Sequence, residues 1–352
     1  MGVVVCNENR RGDWEQLVAK SRDAASGHLW EWRDIIASSY GFEPFYLMAE
    51  DDRARPIAGV PFVFVRSLLY GNELASMPYI DYGGICHDDR LESADRQRAD
   101  RQIIEAAHRL AKDLRAKRLH IRSLNQHPHP FEVSTEKVTQ HLALAKTIEE
   151  QMERLPSERR NRLKRCAKLE LSAERVDPSA PGAMETLCAV YLENMRDLGS
   201  PSHSREFFYQ LIHRLRGHIS LIFVRHNNRA VAAGIAFEFR GAMTLPWTGA
   251  TYEARPVYGS VALYWEGIRL AIERGCHTFD FGRSTAGSGI FEFKRQWGPT
   301  AVQSYWSTLY LKPGAAAPRN RSGLKAMSKI WRYMPLGVAR AVGPGLRRGI
   351  SN

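Results

Sequence analysis

The sequence predicts an α/β (α+β) fold built in two similar halves, and three features of this 352-residue chain predict it. The order strand, strand, strand, helix, strand occurs twice, each occurrence follows helical segments, and a basic segment interleaved with apolar residues closes the chain. In the first half, strands fall at Phe45 to Ala49, Ile57 to Val65 and Glu73 to Pro78, with turns at Asp51-Asp52 and Gly71-Asn72. A helix near Ile103 to Leu114 and a strand at Arg118 to Arg122 complete that unit. In the second half, strands fall at Ile219 to Val224, Ala230 to Phe239 and Met243 to Ala250, with turns at Asn227-Asn228 and Gly241. Ser260 is placed to cap a helix whose Val261, Tyr264, Ile268, Ala271 and Ile272 share one face; Gly275 ends it before a strand at His277 to Phe281. Helices at Trp14 to Lys20 and Leu29 to Tyr40 precede the first set, and helices at Ala183 to Arg196 and Glu206 to Leu215 precede the second. The repetition is one of pattern, not of identity. It predicts two tandem domains, 1–150 and 151–312, each a mixed, mostly antiparallel sheet flanked by helices, and a helical tail over 313–352. The boundary is set where the polar run Glu149-Glu150-Gln151-Met152-Glu153 meets Pro156.

Composition narrows the class. A hydrophobic content of 44% with 25% charged residues is ordinary for a chain with a real core. No apolar stretch approaches the roughly 18 residues of a membrane span, the densest, Val60 to Val65, stopping at Arg66. The start, Met1-Gly2-Val3-Val4-Val5-Cys6, turns polar too soon for a signal peptide. Cys6, Cys86, Cys166, Cys188 and Cys276 are odd in number, widely spaced and without a Cys-x-x-Cys pair, so reduced thiols and a cytoplasmic location are expected. His127 and His129, in Gln-His-Pro-His-Pro, have no Cys or carboxylate at ligand spacing, and no metal site is expected. The net charge of +12 is uneven. Arg319, Arg321, Lys325, Lys329, Arg332, Arg340, Arg347 and Arg348 give the tail +8 with no acid, leaving +4 for the body. Ile330, Trp331, Met334, Leu336, Val338, Ala341, Val342 and Leu346 interleave with these bases, and Pro335 and Pro344 divide the segment into short helices. Such a tail suits an anionic membrane surface, here the inner face of the cytoplasmic membrane, or docking on its own domain; the sequence leaves both open.

The run from Thr278 to Gly298 holds an acid, bases and a glycine loop between a strand and a helix. Phe279 and Phe281 alternate with Asp280, Gly282 ends the strand, and Ile290, Phe293 and Trp297 fall at helical spacing after Gly287-Ser288-Gly289. The loop therefore opens a helix, and its backbone N–H groups with Arg283, Lys294 and Arg295 would suit a phosphate or a developing oxyanion. Gly282 and Gly287 have P-loop spacing, but Ser288 and Gly289 stand where its Lys and Ser/Thr belong, and a third dinucleotide glycine is missing. His203, in a Ser-Pro-Ser-His-Ser loop, is a candidate general base or a loop-ordering hydrogen bonder. Asp280 is a candidate to orient Arg283 or to accept a proton from an amine. Trp247 and Tyr264 would line a groove or fill the core. Of Arg159, Arg160, Arg162, Lys164, Arg165 and Lys168, not all share one helix face, so some are solvated and others are free to hold a phosphate.

The repeated order resembles the core of the GNAT acyltransferase fold, and twin domains of that kind are similar to the FemAB group of peptidyl and aminoacyl transferases. The segments Tyr79-Ile80-Asp81-Tyr82-Gly83-Gly84, Leu198-Gly199-Ser200-Pro201-Ser202-His203-Ser204, Pro246-Trp247, Asp280-Phe281-Gly282-Arg283-Ser284 and Phe293-Lys294-Arg295-Gln296-Trp297-Gly298 resemble FemAB-related proteins of PEP-CTERM/exosortase systems. So does the terminal Trp331-Arg332-Tyr333-Met334-Pro335-Leu336 to Gly343-Pro344. The likeness covers nearly the whole chain, without the helical arm of some tRNA-dependent Fem enzymes. Arg255-Pro256-Val257-Tyr258-Gly259-Ser260 departs from the usual pyrophosphate loop. The resemblance implies an acyltransferase with no bound cofactor that joins an activated acyl group to an amine. Acyl-CoA, acyl carrier protein or aminoacyl-tRNA is the implied donor, and nucleic acid is a partner only in the last case. The acceptor that the resemblance implies is an envelope or exopolysaccharide precursor, and a long-chain amino-lipid such as a sphingoid base would fit the tail equally well. A non-catalytic adaptor of the exosortase or polysaccharide machinery is the rival from another class. Lys294 is implied to stabilise charge at the reacting centre. Ser284, Gly287, Ser288 and Gly289 with Arg283, Trp247 and Tyr264 fall on the donor side, and Asp81 and Tyr82 on the acceptor side.

Overall fold

The computed structural model describes residues 2–67, 71–127, 130–311 and 321–351; His129 lies outside them. The chain divides into two compact units, Met1–Lys137 with Gln303–Arg319 and Arg348–Asn352, and Val138–Val302 with Asn320–Arg347.

In the first unit the sheet runs, in spatial order, Gly2–Cys6, Glu43–Glu50, Pro56–Val65, Glu73–Ser76, Arg118–Ser123, Tyr305–Tyr310 and Glu132–Ser134, with Cys86–His87 beside Pro56–Val65. Its strands pair antiparallel except Glu73–Ser76 with Arg118–Ser123, which run parallel because the Ser93–Asp113 helix crosses between them. Ala99, Ile103, Ala107 and Ala111 recur every fourth residue and are fully buried, so three methyl-sized side chains let that helix lie close to the sheet.

The second unit repeats the arrangement. Its sheet runs Ser284–Thr285, Lys137–Ala143, Thr278–Asp280, Ala242–Ala250, Arg229–Phe239, Ile219–His226 and Ser172–Val176, with Thr300–Gln303 beside Lys137–Ala143. Its parallel pair is Ala242–Ala250 with Thr278–Asp280, joined through the Gly259–Glu273 helix. The predicted turns have the expected backbone, with positive φ at Asn227 and Asn228 (50° and 61°) and at Arg240 and Gly241 (51° and 73°). Ser260 does not cap the crossing helix, which begins one residue earlier, at Gly259, and is entered through Tyr258 at φ 58° with no side-chain cap.

The domain limits differ from those expected. Residues 138–150 belong to the second unit because Thr278, Phe279 and Asp280 pair with Ala143, Leu142 and His141. Residues 303–312 belong to the first because Tyr305–Tyr310 pairs with Arg118–Ser123. Nor is the tail a free appendage. Within the second unit, Trp331 and Ala339 bury against Leu192, with Met334, Leu336 and Leu346 around them. Within the first, Ser351 O accepts from Tyr79 N–H (3.2 Å) and Arg122 Nη1 (2.9 Å). The outer side of the tail helices, Arg321–Trp331 and Leu336–Arg348, exposes Met327, Ile330, Val338 and Val342, and the turn between them exposes Tyr333.

Two expectations about stability follow. A methyl group on Gly249 would lie 2.9 Å from both Tyr191 Cα and Val190 O, atoms of helix backbone that cannot turn aside. Gly249→Ala should therefore destabilise the second unit by about 1–3 kcal/mol, seen as a lower urea midpoint. In the first unit, His87 is buried between Asp23 (3.0 Å to Nδ1) and Asp100 (2.7 Å to Nε2). Burial alone would lower its pKa, but the two carboxylates outweigh it and raise the value to about 9. Its contribution is therefore complete below the ordinary 6.5 and is lost as pH rises through about 9. The thermal midpoint should fall across that window, and His87→Gln should flatten the slope.

Candidate active site

Ala242, Met243 and Thr244 pair with Thr278, Phe279 and Asp280; the ladder stops there, while the first strand continues alone on that side to Ala250. Asp280 stands at this end point. Its Oδ1 accepts the Thr139 hydroxyl (2.6 Å) and the Gly282 N–H (2.8 Å), and its Oδ2 lies 3.5 Å from His141 Nε2. A buried carboxylate is costly without such donors. The bond to Gly282, at φ 70°, turns the chain out of the sheet. Ser284 Oγ then reaches Gln140 Oε1 at 3.4 Å. Three consecutive residues of one strand, Thr139, Gln140 and His141, thus support the loop, and sequence reasoning passed over that strand.

Lys294 is 5% exposed and comes back onto the same loop, Nζ donating to Gly282 O and Arg283 O, both at 2.9 Å. Its helix is the short Gly289–Arg295, and Ser288 Oγ accepts the Phe291 N–H at 3.2 Å. Gly287, at φ 73°, and Gly289 are exposed. The Gly287-Ser288-Gly289 loop is therefore a helix cap, and an amide expected to meet a phosphate already has a partner. The far end of the helix is held by Arg159, which is 1% exposed. Its guanidinium lies over Trp297 (4.4 Å) and Phe293 (5.1 Å), and its Nη2 donates to Phe293 O (3.2 Å) and Gln296 Oε1 (2.7 Å). Burial, then the neighbouring Arg162, lowers its pKa to about 10. This member of the basic stretch is neither solvated nor at the surface, whereas Arg165 is exposed and reaches the Tyr258 hydroxyl (3.3 Å) at the start of the Gly259–Glu273 helix.

The remaining candidates separate. Tyr264 stacks on Phe281 (5.6 Å) with its edge to Phe293 (5.4 Å), and belongs to the core beneath the Lys294 loop. Trp247 is buried edge-on to Phe207 (5.4 Å) in a different aromatic group. His203 belongs to that second group, stacked on Phe207 (4.4 Å) beside Tyr191. Burial, then Arg347, pushes its pKa well below 6.5, and its Nε2 accepts from Arg347 Nε at 3.3 Å. That lone pair is engaged, so His203 orders its loop and does not stand ready as a base. Asp81 and Tyr82 are half-buried in the first unit. They follow Tyr79, whose ring lies 4.5 Å from that of Tyr40 and whose hydroxyl donates to Arg348 O (2.8 Å). Among the described residues, no group of His, Cys, Asp and Glu is arranged to hold a metal ion.

Residues 157–295 match the model of the acetyltransferase (GNAT) domain. Among solved structures, FemX superposes with a TM-score of 0.64 at 11% identity, covering 87% of this chain and 97% of FemX. The C-terminal domain of a putative lysylphosphatidylglycerol synthetase from Agrobacterium fabrum gives 0.55 at 12%, covering 86% and 92%. A tandem GNAT protein from the clavulanic acid biosynthesis pathway gives 0.55 at 10%, covering 88% and 98%. No curated protein matches in sequence. At such identities the structures speak for the fold, and the domain match for the acyltransferase class. Residues 157–295 thus match a GNAT acetyltransferase domain, and the chain as a whole shares the fold of FemX and of the tandem GNAT protein.

Proposed function

We propose that the chain is an N-acyltransferase that forms an amide between an activated acyl group and an amine on an envelope or lipid precursor. One observation carries the reading: the Lys294 ammonium is pinned to two carbonyls of the loop that leaves the sheet at Asp280. A buried, fixed ammonium stabilises negative charge that develops beside it more than a solvated one does. The amine adds to the acyl carbonyl, the carbonyl oxygen becomes anionic, and collapse re-forms the carbonyl and breaks the bond to the sulfur or ribose oxygen of the donor, which leaves as thiol or alcohol with the proton that the amine gives up. Lys294 stands for the charge on that oxygen, and Asp280 for fixing the loop. Acyl-CoA or acyl carrier protein is the donor we favour, with the exposed Arg165 and the start of the Gly259–Glu273 helix toward its phosphates. The structural neighbours FemX and lysylphosphatidylglycerol synthetase support an acceptor from the envelope, and a long-chain amino-lipid such as a sphingoid base fits that class.

Aminoacyl-tRNA is the second donor, favoured by the exposed Lys164, Arg165 and Lys168 along one helix. The third reading, an adaptor without catalysis, keeps the fold and dispenses with Lys294.

Purified protein offered acyl-CoAs, acyl carrier proteins and charged tRNAs, with products followed by mass spectrometry, should consume one thioester class. Lys294→Ala should lower kcat by about 10²–10³ with KM little changed; full activity of that variant would remove Lys294 from the reacting centre, and no turnover of any donor by the wild-type protein would return it to the adaptor reading. A tRNA donor would instead show rates falling steeply with salt. We also propose that the outward side of the tail, with Lys329, Arg332 and Arg340 among its exposed apolar residues, rests on an anionic membrane. Ile330→Glu with Val342→Glu should weaken sedimentation with phosphatidylglycerol vesicles about tenfold or more, and unchanged sedimentation would remove the tail as a contact.

A further inference from the structure

A cavity of about 200 Å³ lies within the second unit, apart from the Lys294 loop. The Ala183–Asp197 helix gives it Cys188, Ala189 and Leu192, the following loop gives Ser202 and His203, and the tail gives Arg340 and Pro344. It is somewhat larger than the roughly 150 Å³ apolar cavity that admits benzene. Its walls are mostly carbon, with Tyr191, Leu192 and Phe208 at the back. The charges around it are unequal. Glu185, its one acid, is ion-paired to Arg205. Arg340 stands exposed at the edge with no carboxylate partner among the described residues, and Arg347 is buried behind His203. Arg340 also sits between Val338 and Val342, so the cavity mouth adjoins the outward apolar side of the tail.

We infer that this cavity takes the end of the alkyl chain of an anionic single-chain amphiphile, whose head lies against Arg340. An apolar recess selects a chain, and a mouth with surplus positive charge selects an anionic head over an ammonium. Neither a bare anion nor an alkylamine satisfies both. The site uses none of Asp280, Ser284 and Lys294, so it stands whether or not that loop is catalytic.

Calorimetric titration of the full chain with monomeric octyl phosphate, octylamine and inorganic phosphate decides it. Octyl phosphate should bind about tenfold or more tightly than either of the others. Ala189→Trp, which fills the recess from an exposed helix position, should weaken octyl phosphate by at least about tenfold. Arg340→Glu, on the surface, should leave the circular dichroism melt unchanged and abolish the preference for octyl phosphate over octylamine. Equal binding of octylamine, inorganic phosphate binding as tightly as octyl phosphate, or discrimination that survives Arg340→Glu would each overturn the assignment. Should Ala189→Trp fail to fold, the wild-type preference and the Arg340→Glu result decide it between them.

Discussion

Asp280 is one carboxylate at the last paired residue of a strand, and the second unit's loop is organised around what it requires. Removed from water, it needs donors, and it has the Thr139 hydroxyl from the adjacent strand and the Gly282 amide two residues on. Taking the Gly282 amide folds the chain back at a positive φ that favours glycine. Once the chain has left the sheet, the carbonyls of Gly282 and Arg283 have no ladder to join, and Lys294 supplies their donor. Lys294 can do so only because its helix is fixed at both ends, by Ser288 at the start and by Arg159 beneath Phe293 and Gln296. Acid, loop, base and helix therefore form one dependent series. A change at Arg159 reaches Lys294 through two residues of helix without touching it.

The first unit has the same topology put to another use. Its parallel pair, Glu73–Ser76 with Arg118–Ser123, corresponds to Ala242–Ala250 with Thr278–Asp280. Where the second unit ends that strand with Asp280 and a turned loop, the first has Arg122, fully buried over the Trp306 ring (4.9 Å) and bonded to Ser351. Ser351 is thus buried in the first unit beside Arg122, two residues past His120, the last residue of that parallel ladder. The sequence differs where the topologies agree, and that difference favours the second unit as the reacting one.

The local elements were legible because their signals are local. Asn227-Asn228 and Gly241 announce turns by backbone preference, and Val261, Tyr264, Ile268, Ala271 and Ile272 announce a buried helix face by spacing. What escaped depends on distant partners. Lys137–Ala143 and Tyr305–Tyr310 are ordinary short strands in sequence, and only their pairings, with Thr278–Asp280 and Arg118–Ser123, show which unit owns them. His203 reads equally as a general base or a loop-ordering hydrogen bonder until Arg347, 144 positions later, is seen against its Nε2. Arg159 reads as one base in a run of which some are solvated and others free to hold a phosphate, yet its surroundings come from Phe293, Gln296 and Trp297. Lys294 was identified through a family motif, and its bonding to two backbone carbonyls was not contained in that motif.

The tail docks on its own unit and still keeps a basic, apolar side outward. In Leu336–Arg348, Ala339, Gly343 and Arg347 recur every fourth residue and are buried. Val338 and Val342 precede the first two by a single residue, which is about 100° around a helix, and that rotation carries them to the exposed side. Gly343 suits the inner side: a side chain there would begin 3.5 Å from the Trp331 ring and 3.6 Å from the Ser202 amide. The docked side is thus small and closely packed and adjoins the loop that carries His203, while the outward side keeps branched apolar residues next to Arg340. Docking consumes only the inner side of the amphipathic pattern. Of the positive charge in this segment, Arg347 is buried with the inner side, while Arg340 remains outside, at the mouth of a cavity that the tail helps to wall.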